Sequence, residues 1–178
     1  MVKSVRMRVC ARLFCWLLLA SCVGASGLAS VLAKASAVAL AKVFAGPDGL
    51  AHVTDGSGHD KSFPKEKGQV SVGKMKLAED RSAAGWTIEE ENCCTSYPIP
   101  TRLAVYSGSK KRIIAPGLMI WDWCFVDGGA KVAIASGTVH CMDTPELTLF
   151  STQSGRQIED VSDLSREKDP DWAACLSH

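Results

Sequence analysis

Two short pairs of residues carry the side chains best suited to chemistry. Cys93 is followed directly by Cys94, and His140 directly by Cys141. Thiolate and imidazole ligands suit copper(I) or zinc, and a pair of thiols can also undergo reversible oxidation. The alternative is one structural disulfide from Cys141 to Cys93 or Cys94, which would stabilise the fold by about 3–4 kcal/mol in the chain-entropy model. If the domain lies in an oxidising compartment, the disulfide is the favoured interpretation.

The other titratable groups favour structural roles. Glu89–Glu91 are consecutive, and residues that alternate between the faces of a strand cannot all converge on one ion. Lys110–Arg112 form a basic turn that would keep a sheet edge from self-pairing and is weak as an anion site. His52, His59 and His178 have no acidic or thiol partner at a suggestive spacing.

No motif of an active site or of a cofactor-binding loop is present. The chain lacks a glycine-rich phosphate loop, the H-E-x-x-H motif and the G-x-S-x-G motif. Its cysteines do not form C-x-x-C pairs, so a structural zinc site is not indicated. The 20 basic and 19 acidic residues nearly cancel, which argues against a nucleic-acid-binding surface. We therefore expect a protein that is not an enzyme, without a cofactor, a metal site or a nucleic-acid partner.

The elements that would position the cysteine pairs form an internal repeat. Leu103–Ser107 matches Leu147–Ser151 at an offset of 44 residues, and Arg112 is followed at the same offset by Arg156. Each repeat is predicted to contain four strands. An Asp-centred turn joins the first strand to the second, a longer loop joins the second to the third, and a turn rich in glycine and serine joins the third to the fourth.

The repeats span residues 70–117 and 118–161. The predicted strands of the first are Val70–Ala78, Ala84–Glu90, Thr101–Tyr106 and Arg112–Ala115, and those of the second are Met119–Val126, Lys131–Val139, Glu146–Phe150 and Arg156–Asp160. Both cysteine-containing pairs fall in the loop between the second and third strands of their repeat. The repeat register therefore predicts that these two loops lie on the same edge of the sheets.

The predicted fold class is an all-β antiparallel meander, with a hairpin and an exposed loop over residues 42–69 before the repeats. Within Met119–Val126 strict alternation puts four residues on one face: Met119, Trp121, Trp123 and Phe125. Cys124, flanked by apolar residues, is interpreted as a small buried hydrophobe. The tail, residues 162–178, is polar until an apolar cluster around Trp172 that we expect to fold back onto the sheet.

The N-terminal segment has the pattern of an export signal. Residues 1–47 carry six basic and no acidic residues, and an uncharged stretch from Leu13 to Ala33 follows the first four cations. Three interpretations stay open for residues 1–41: lipidation at Cys22 within a lipobox-like run, cleavage after Ala41, or an uncleaved membrane anchor helix. Each of them exports the body to the periplasm or envelope of a bacterium.

Five cysteines remain in the body, an odd number in an oxidising compartment: Cys93, Cys94, Cys124, Cys141 and Cys175. At least one of them must stay a thiol or pair outside the chain.

A period in the forties with four strands per unit resembles the blades of β-propellers of the WD and TolB kinds. The run Cys93–Pro100, together with Trp86 and the aromatic stretch at residues 121–125, resembles a family of uncharacterised exported bacterial proteins. That resemblance implies export and a β-repeat fold, and it supplies no activity. Two repeats are too few to close a ring.

The expected function is that of an exported, non-enzymatic module that binds an unidentified protein or envelope partner. Tyr97, Trp121 and Trp123 are the predicted partner surface, because aromatic side chains are enriched where proteins bind one another. The N-terminal segment would supply a membrane attachment if it is lipidated or uncleaved. The alternative is a periplasmic metal- or thiol-handling protein that uses Cys93, Cys94, His140 and Cys141.

Overall fold

The structure of the chain is a computed structural model. It describes residues 38–93, 95–139, 144–161 and 168–177, and the statements below concern those residues. The predicted signal or anchor helix lies outside them. Within the described residues, no helix has the length and apolar character needed to span a membrane.

Strands dominate the described part of the chain, with two short 3-10 helices at Asp127–Gly129 and Asp171–Ala173. The strands are β1 (Leu40–Ala45), β2 (Ala51–Asp55), β3 (Asp60–Phe63), β4 (Gln69–Leu77), β5 (Ala83–Glu90), β6 (Ile99–Ser107), β7 (Lys110–Ile114), β8 (Met119–Val126), β9 (Lys131–Gly137), β10 (Glu146–Ser151) and β11 (Gln157–Val161).

The strands form three open antiparallel sheets. The first sheet has the order β1-β2-β3, the second β4-β5-β6-β7 and the third β11-β10-β9-β8. Neighbours in sequence are also neighbours in each sheet, so every sheet is a meander. The predicted all-β antiparallel fold class is confirmed, and each strand predicted between residues 70 and 161 is present with its ends within two residues of the prediction.

The segment Thr54–Gly68, predicted to be an exposed loop, contains a strand. Its residues Asp60–Phe63 form β3, which pairs with β2 at the edge of the first sheet. Phe63 is buried, with its ring centroid 4.9 Å from that of Trp86 and 5.0 Å from that of Tyr106. The prediction failed because a four-residue edge strand with three polar side chains has no apolar alternation to reveal it.

The strict alternation predicted for β8 is wrong, because a β-bulge interrupts it. The register against β9 shifts between Ile120 and Asp122. An extra residue on one strand reverses which face the following side chains occupy. Ile120 and Trp123 therefore share one core, whereas Trp121 packs over Gly137 of β9, where a Cβ would lie 2.3 Å from the ring atom Cζ2.

The sheets stack face to face around two apolar cores. The first core lies between the first and second sheets and contains Val53, Phe63, Trp86 and Ile88. The second core lies between the second and third sheets and contains Leu103, Val105, Ile114, Trp123, Ile134 and Phe150. Gly85 makes room for the indole of Trp123, since a Cβ there would lie 2.6 Å from the ring atom Cη2. The indole Nε1 donates to the carbonyl of Lys74 at 3.0 Å.

A third core lies on the outer face of the third sheet and is closed by the C-terminal segment, residues 168–177. Leu147 and Leu149 of β10 group there with Ala173 and Leu176. The expected fold-back of the apolar tail onto the sheet is confirmed. The second sheet is thus covered by sheets on both faces, and the third by a sheet on one face and by the chain terminus on the other.

Candidate binding site at the loop end of the sheets

The loop end is the end of the second and third sheets where residues 91–98 join β5 to β6 and residues 138–145 join β9 to β10. Cys93 is described there and is exposed. The other residues predicted to do chemistry lie outside the described residues: Cys22, Cys94, His140 and Cys141. The lipidation site and the disulfide from Cys141 to Cys93 or Cys94 therefore stay predictions.

A cleft of about 480 Å³ lies at the loop end. Its lining includes Glu90 and Ile99, which flank the first loop, and residues 137–139, which lead into the second. Three residues of the β7–β8 connection, Ala115, Gly117 and Leu118, complete the lining together with Met119 at the start of β8. The stems of the two loops that the repeat register places on one edge thus line the same cleft.

The cleft is largely apolar, with one charged pair at its border. The apolar lining residues are Ile99, Ala115, Leu118, Met119 and Val139. Arg102 forms an ion pair with Glu90 and also donates through Nη2 to the carbonyl of Lys67 at 2.7 Å. The Thr101 hydroxyl donates to the second carboxylate oxygen of Glu90. Both carboxylate oxygens of Glu90 therefore have a partner within the protein.

The three consecutive acidic residues do not converge. Glu89 accepts a hydrogen bond from the Ser71 hydroxyl at 2.5 Å, whereas Glu90 belongs to the Arg102 pair. Glu91 lines a separate hollow of about 290 Å³ together with Val70 and Tyr97. In the described part of the chain, no group of three or more His, Cys, Asp or Glu side chains is placed to hold a metal ion.

The three residues predicted as a partner surface have different positions. Tyr97 is 62% exposed in the hollow beside the cleft. Trp121 is half-buried against Gly137, which itself lines the cleft. Trp123 is fully buried in the second core, so its assignment to a partner surface is wrong. The β8 bulge explains the difference, because it separates two tryptophans that plain alternation would place side by side.

Cys124 is not a lone buried hydrophobe but one half of a disulfide. It is bonded to Cys175, with a Cα–Cα distance of 6.1 Å, in the usual range for disulfides. The partners are 51 residues apart in sequence and meet because the segment 168–177 returns to β8. Sequence reasoning missed the pair because it assigned Cys124 from its apolar neighbours alone. The tail's fold-back, which it did expect, was the available signal.

Asp122 joins three parts of the fold. One carboxylate oxygen accepts from the Ser177 amide at 2.9 Å and the Ser177 hydroxyl at 2.8 Å, and the other accepts from Lys76 of β4 at 3.0 Å. Burial raises the pKa of Asp122, but the hydrogen bonds from Ser177 and Lys76 outweigh it and lower the pKa to about 2. The sequence signal that could have revealed this site is the presence of an acidic residue, Asp122, within an aromatic strand, because a buried carboxylate needs hydrogen-bond partners.

His52 has two carboxylate partners, so the expectation that it has none is wrong. Its Nδ1 lies 2.7 Å from Asp60 of β3, and its Nε2 lies 3.1 Å from Asp48 in the β1–β2 turn. The hydrogen bonds to Asp60 and then to Asp48 raise the pKa of His52. Asp60 became a neighbour only through β3, which the sequence pattern did not reveal. The contact with Asp48 could have been predicted, because Asp48 lies in the turn of the β1–β2 hairpin, next to β2.

No protein-family model and no curated protein sequence matches this chain.

Proposed function

We propose that this chain is an exported, non-enzymatic β-repeat module that binds a protein partner at its loop end. The observation that carries the proposal is the largely apolar cleft in which the stems of both long loops meet. Loops held by a rigid sheet scaffold are where binding residues concentrate. The lining offers Leu118, Met119 and Val139 for apolar contacts and Thr138 for hydrogen bonds.

The architecture is proposed to be that of two propeller-like blades in an open stack. The second and third sheets are both four-stranded meanders, and they pack face to face through the second core. Each carries a bulge in its first strand, between Gly73 and Lys76 in β4 and between Ile120 and Asp122 in β8. Blade-like units commonly present their ligand sites at one end of the sheets, which is the role proposed for the loop end.

Export is supported by two independent observations. The first 47 residues carry six cations and no acidic residue ahead of and around an uncharged stretch. The Cys124–Cys175 disulfide is compatible with an oxidising compartment. A reporter fused after Gly49 that is active only outside the cytoplasm is the expected result. Activity only inside the cytoplasm would contradict export.

Binding at the loop end is tested by site-specific photo-crosslinking in the cells that make the protein. A photo-reactive residue at Tyr97 or Thr138 should give a discrete protein adduct. The same residue at Gln157, exposed on β11, is the matched control and should give none. Met119→Asp, which puts a charge into the cleft, should remove the adduct from both loop-end positions. Adducts that form equally from Gln157, or that survive Met119→Asp, would contradict the proposal.

The second candidate function is metal or thiol handling by Cys93, Cys94, His140 and Cys141. It is favoured because the stems of the loops that carry these residues line one cleft. Copper(I) and zinc titrations of the purified body should then show stoichiometric binding that a Cys93→Ser/Cys94→Ser variant loses. Equal affinity of the variant would reject this function and leave protein binding standing.

A further inference from the structure

The opposite end of the sheets carries a second recess that the loop-end proposal does not use. We call it the turn groove; it measures about 700 Å³ and lies between the β6–β7 turn and the β10–β11 turn. The residues that matter for its chemistry are Ser107, Lys110, Arg112, Thr152, Gln153 and Ser154. Two are cations, the others carry hydroxyl or amide groups, and no acidic residue is among the lining residues.

The cations face this groove because of the alternation along β7. Ile114 belongs to the second core, against the third sheet, and Lys110 and Arg112 precede it at intervals of two residues. Ile113 packs instead with the first core, and Lys111 forms an ion pair with Glu66 on that side. The basic run of the sequence is thus divided between two faces.

Lys110 and Arg112 have no carboxylate partner among the described residues, unlike Lys111. Arg112 is fixed by a hydrogen bond from Nε to the carbonyl of Gln153 at 3.2 Å. Its aliphatic stem lies beside Gly155, where a Cβ would come within 3.9 Å of it. Using Nε in this way orients the guanidinium while leaving its two terminal nitrogens available to donate.

Of the two hydroxyl groups in the β10–β11 turn, only that of Ser154 is available to donate into the groove. The Thr152 hydroxyl is committed to the carbonyl of Ala130 at 2.8 Å. The Ser154 oxygen accepts from the Arg156 amide at 3.2 Å, which leaves its own proton free to donate into the groove. A planar guanidinium, an ammonium and a hydroxyl around one recess are the donors that proteins use for phosphate and sulfate groups.

We infer that the turn groove binds a tetrahedral oxyanion, a phosphate or sulfate group, with Arg112 and Lys110 as the charged donors. This is a second site, at the other end of the sheets from the proposed partner cleft, and it stands or falls independently of that cleft. The anion would neutralise two cations that the described part of the chain leaves without a carboxylate.

The chain contains a matched control for this site. Arg156 follows Arg112 at the repeat offset and is exposed directly before β11, but it does not line the groove. Arg112→Gln and Arg156→Gln therefore remove the same charge at corresponding positions. Only the first should affect a site built from Arg112, whereas a general response to surface charge would affect both.

The test is an amide-resolved NMR titration of the purified body with sodium phosphate and, separately, sodium sulfate, with chloride adjusted to keep ionic strength constant. Saturable shifts are expected at Gly108, Ser154 and Gly155. Arg112→Gln should weaken the affinity at least about tenfold, as expected for losing a charge-assisted hydrogen bond. Lys110→Gln should weaken it less, and Arg156→Gln should leave it unchanged. Comparing the two salts shows which anion is preferred.

Three outcomes would overturn the inference. One is a titration whose shifts stay linear and spread over the surface, which indicates general screening. Another is an equal loss of affinity in Arg112→Gln and Arg156→Gln. The third is wild-type affinity in a folded Arg112→Gln variant. Because Arg112 also bonds to Gln153, Arg112→Lys serves as a second variant that keeps the charge, and it should retain part of the affinity.

Discussion

The first and third sheets both lie at an end of the stack, and their outer faces differ in chemistry. Phe44 and His52 stack on the outer face of the first sheet with their centroids 5.2 Å apart, and Lys42 lies 4.5 Å from the Phe44 centroid. Asp48 and Asp60 hold the two nitrogens of His52. Polar groups that satisfy one another can form the outer surface of a sheet without further cover.

The outer face of the third sheet is apolar and needs cover. Leu147 and Leu149 lie under Ala173 and Leu176 of the C-terminal segment. Two links hold that segment in place, the Cys124–Cys175 disulfide and the Ser177 hydrogen bonds to Asp122. The outer face of the last sheet in an open stack can therefore be stabilised in two ways. It can carry polar side chains, as terminal repeats do in repeat proteins, or it can be covered by a capping segment.

Removing the disulfide should have the largest effect on this comparison. We expect Cys124→Ala with Cys175→Ala to lower the free energy of unfolding by about 4 kcal/mol, because the bond closes a loop of 51 residues. Denaturant unfolding of the oxidised proteins measures the change. A loss below about 1 kcal/mol would mean that the segment is held by its other contacts alone.

Leu176→Ala should cost about 2–3 kcal/mol, because it opens a cavity in the third core while leaving the disulfide intact. Ile158→Ala on β11 of the same sheet is the matched control. Ile158 is 51% exposed, so its loss should change the free energy of unfolding by no more than about 0.5 kcal/mol. Similar effects of the two changes in thermal or denaturant unfolding would argue against a packed cap.

Asp122 should make the cap sensitive to acid. Its pKa in the folded protein is about 2, below the ordinary value of 3.8, so its contribution is complete above pH 3.8 and is lost as the pH falls towards 2. Asp122→Asn should lower the free energy of unfolding at pH 7 by about 1–2 kcal/mol and flatten its dependence on pH in that window. Asp171→Asn, at a fully solvated ion pair with Lys168, should do neither.

His52 should give the smallest effect, with the opposite pH dependence. The pKa of His52 is raised above 6.5 in the folded protein, so its stabilisation is complete below pH 6.5 and is lost as the pH rises through the folded pKa. His52→Gln should remove this decline from the stability profile above pH 6.5. His59→Gln, at an exposed position, is the control and should preserve it. An unchanged profile in His52→Gln would show that the Asp48–His52–Asp60 cluster does not couple to folding.

The strands of this fold could be predicted from the local sequence. Contacts between residues far apart in the chain could not. The eight strands of residues 70–161 follow from β-branched and aromatic runs between turn residues, and β8 was placed correctly at both ends. β3 was not predicted, because three of its four residues are polar. The β8 bulge was not predicted, because an alternating pattern gives no sign of an inserted residue. The bulge determines which tryptophan is buried.

The candidate site divides in the same way. The repeat register made two features predictable, the position of Tyr97 in the first loop and the closeness of the two loop stems. Equivalent loops begin at equivalent strand ends and therefore lie on the same edge. The Cys124–Cys175 and Asp122–Ser177 links join residues more than fifty positions apart, and nothing in their local sequence names the partner. The turn groove likewise depends on how β7 packs against the β10–β11 turn.

The most direct test of the account is amide hydrogen exchange in the wild type and in the Cys124→Ala/Cys175→Ala variant, followed strand by strand. If the C-terminal segment is the cap of the third sheet, exchange in β9 and β10 should accelerate by far more than exchange in β1 and β2, whose outer face carries only its own side chains within the described part of the chain. Equal acceleration in the first and third sheets, or unchanged protection in β9 and β10, would contradict the claim that the two ends of the stack are stabilised in different ways.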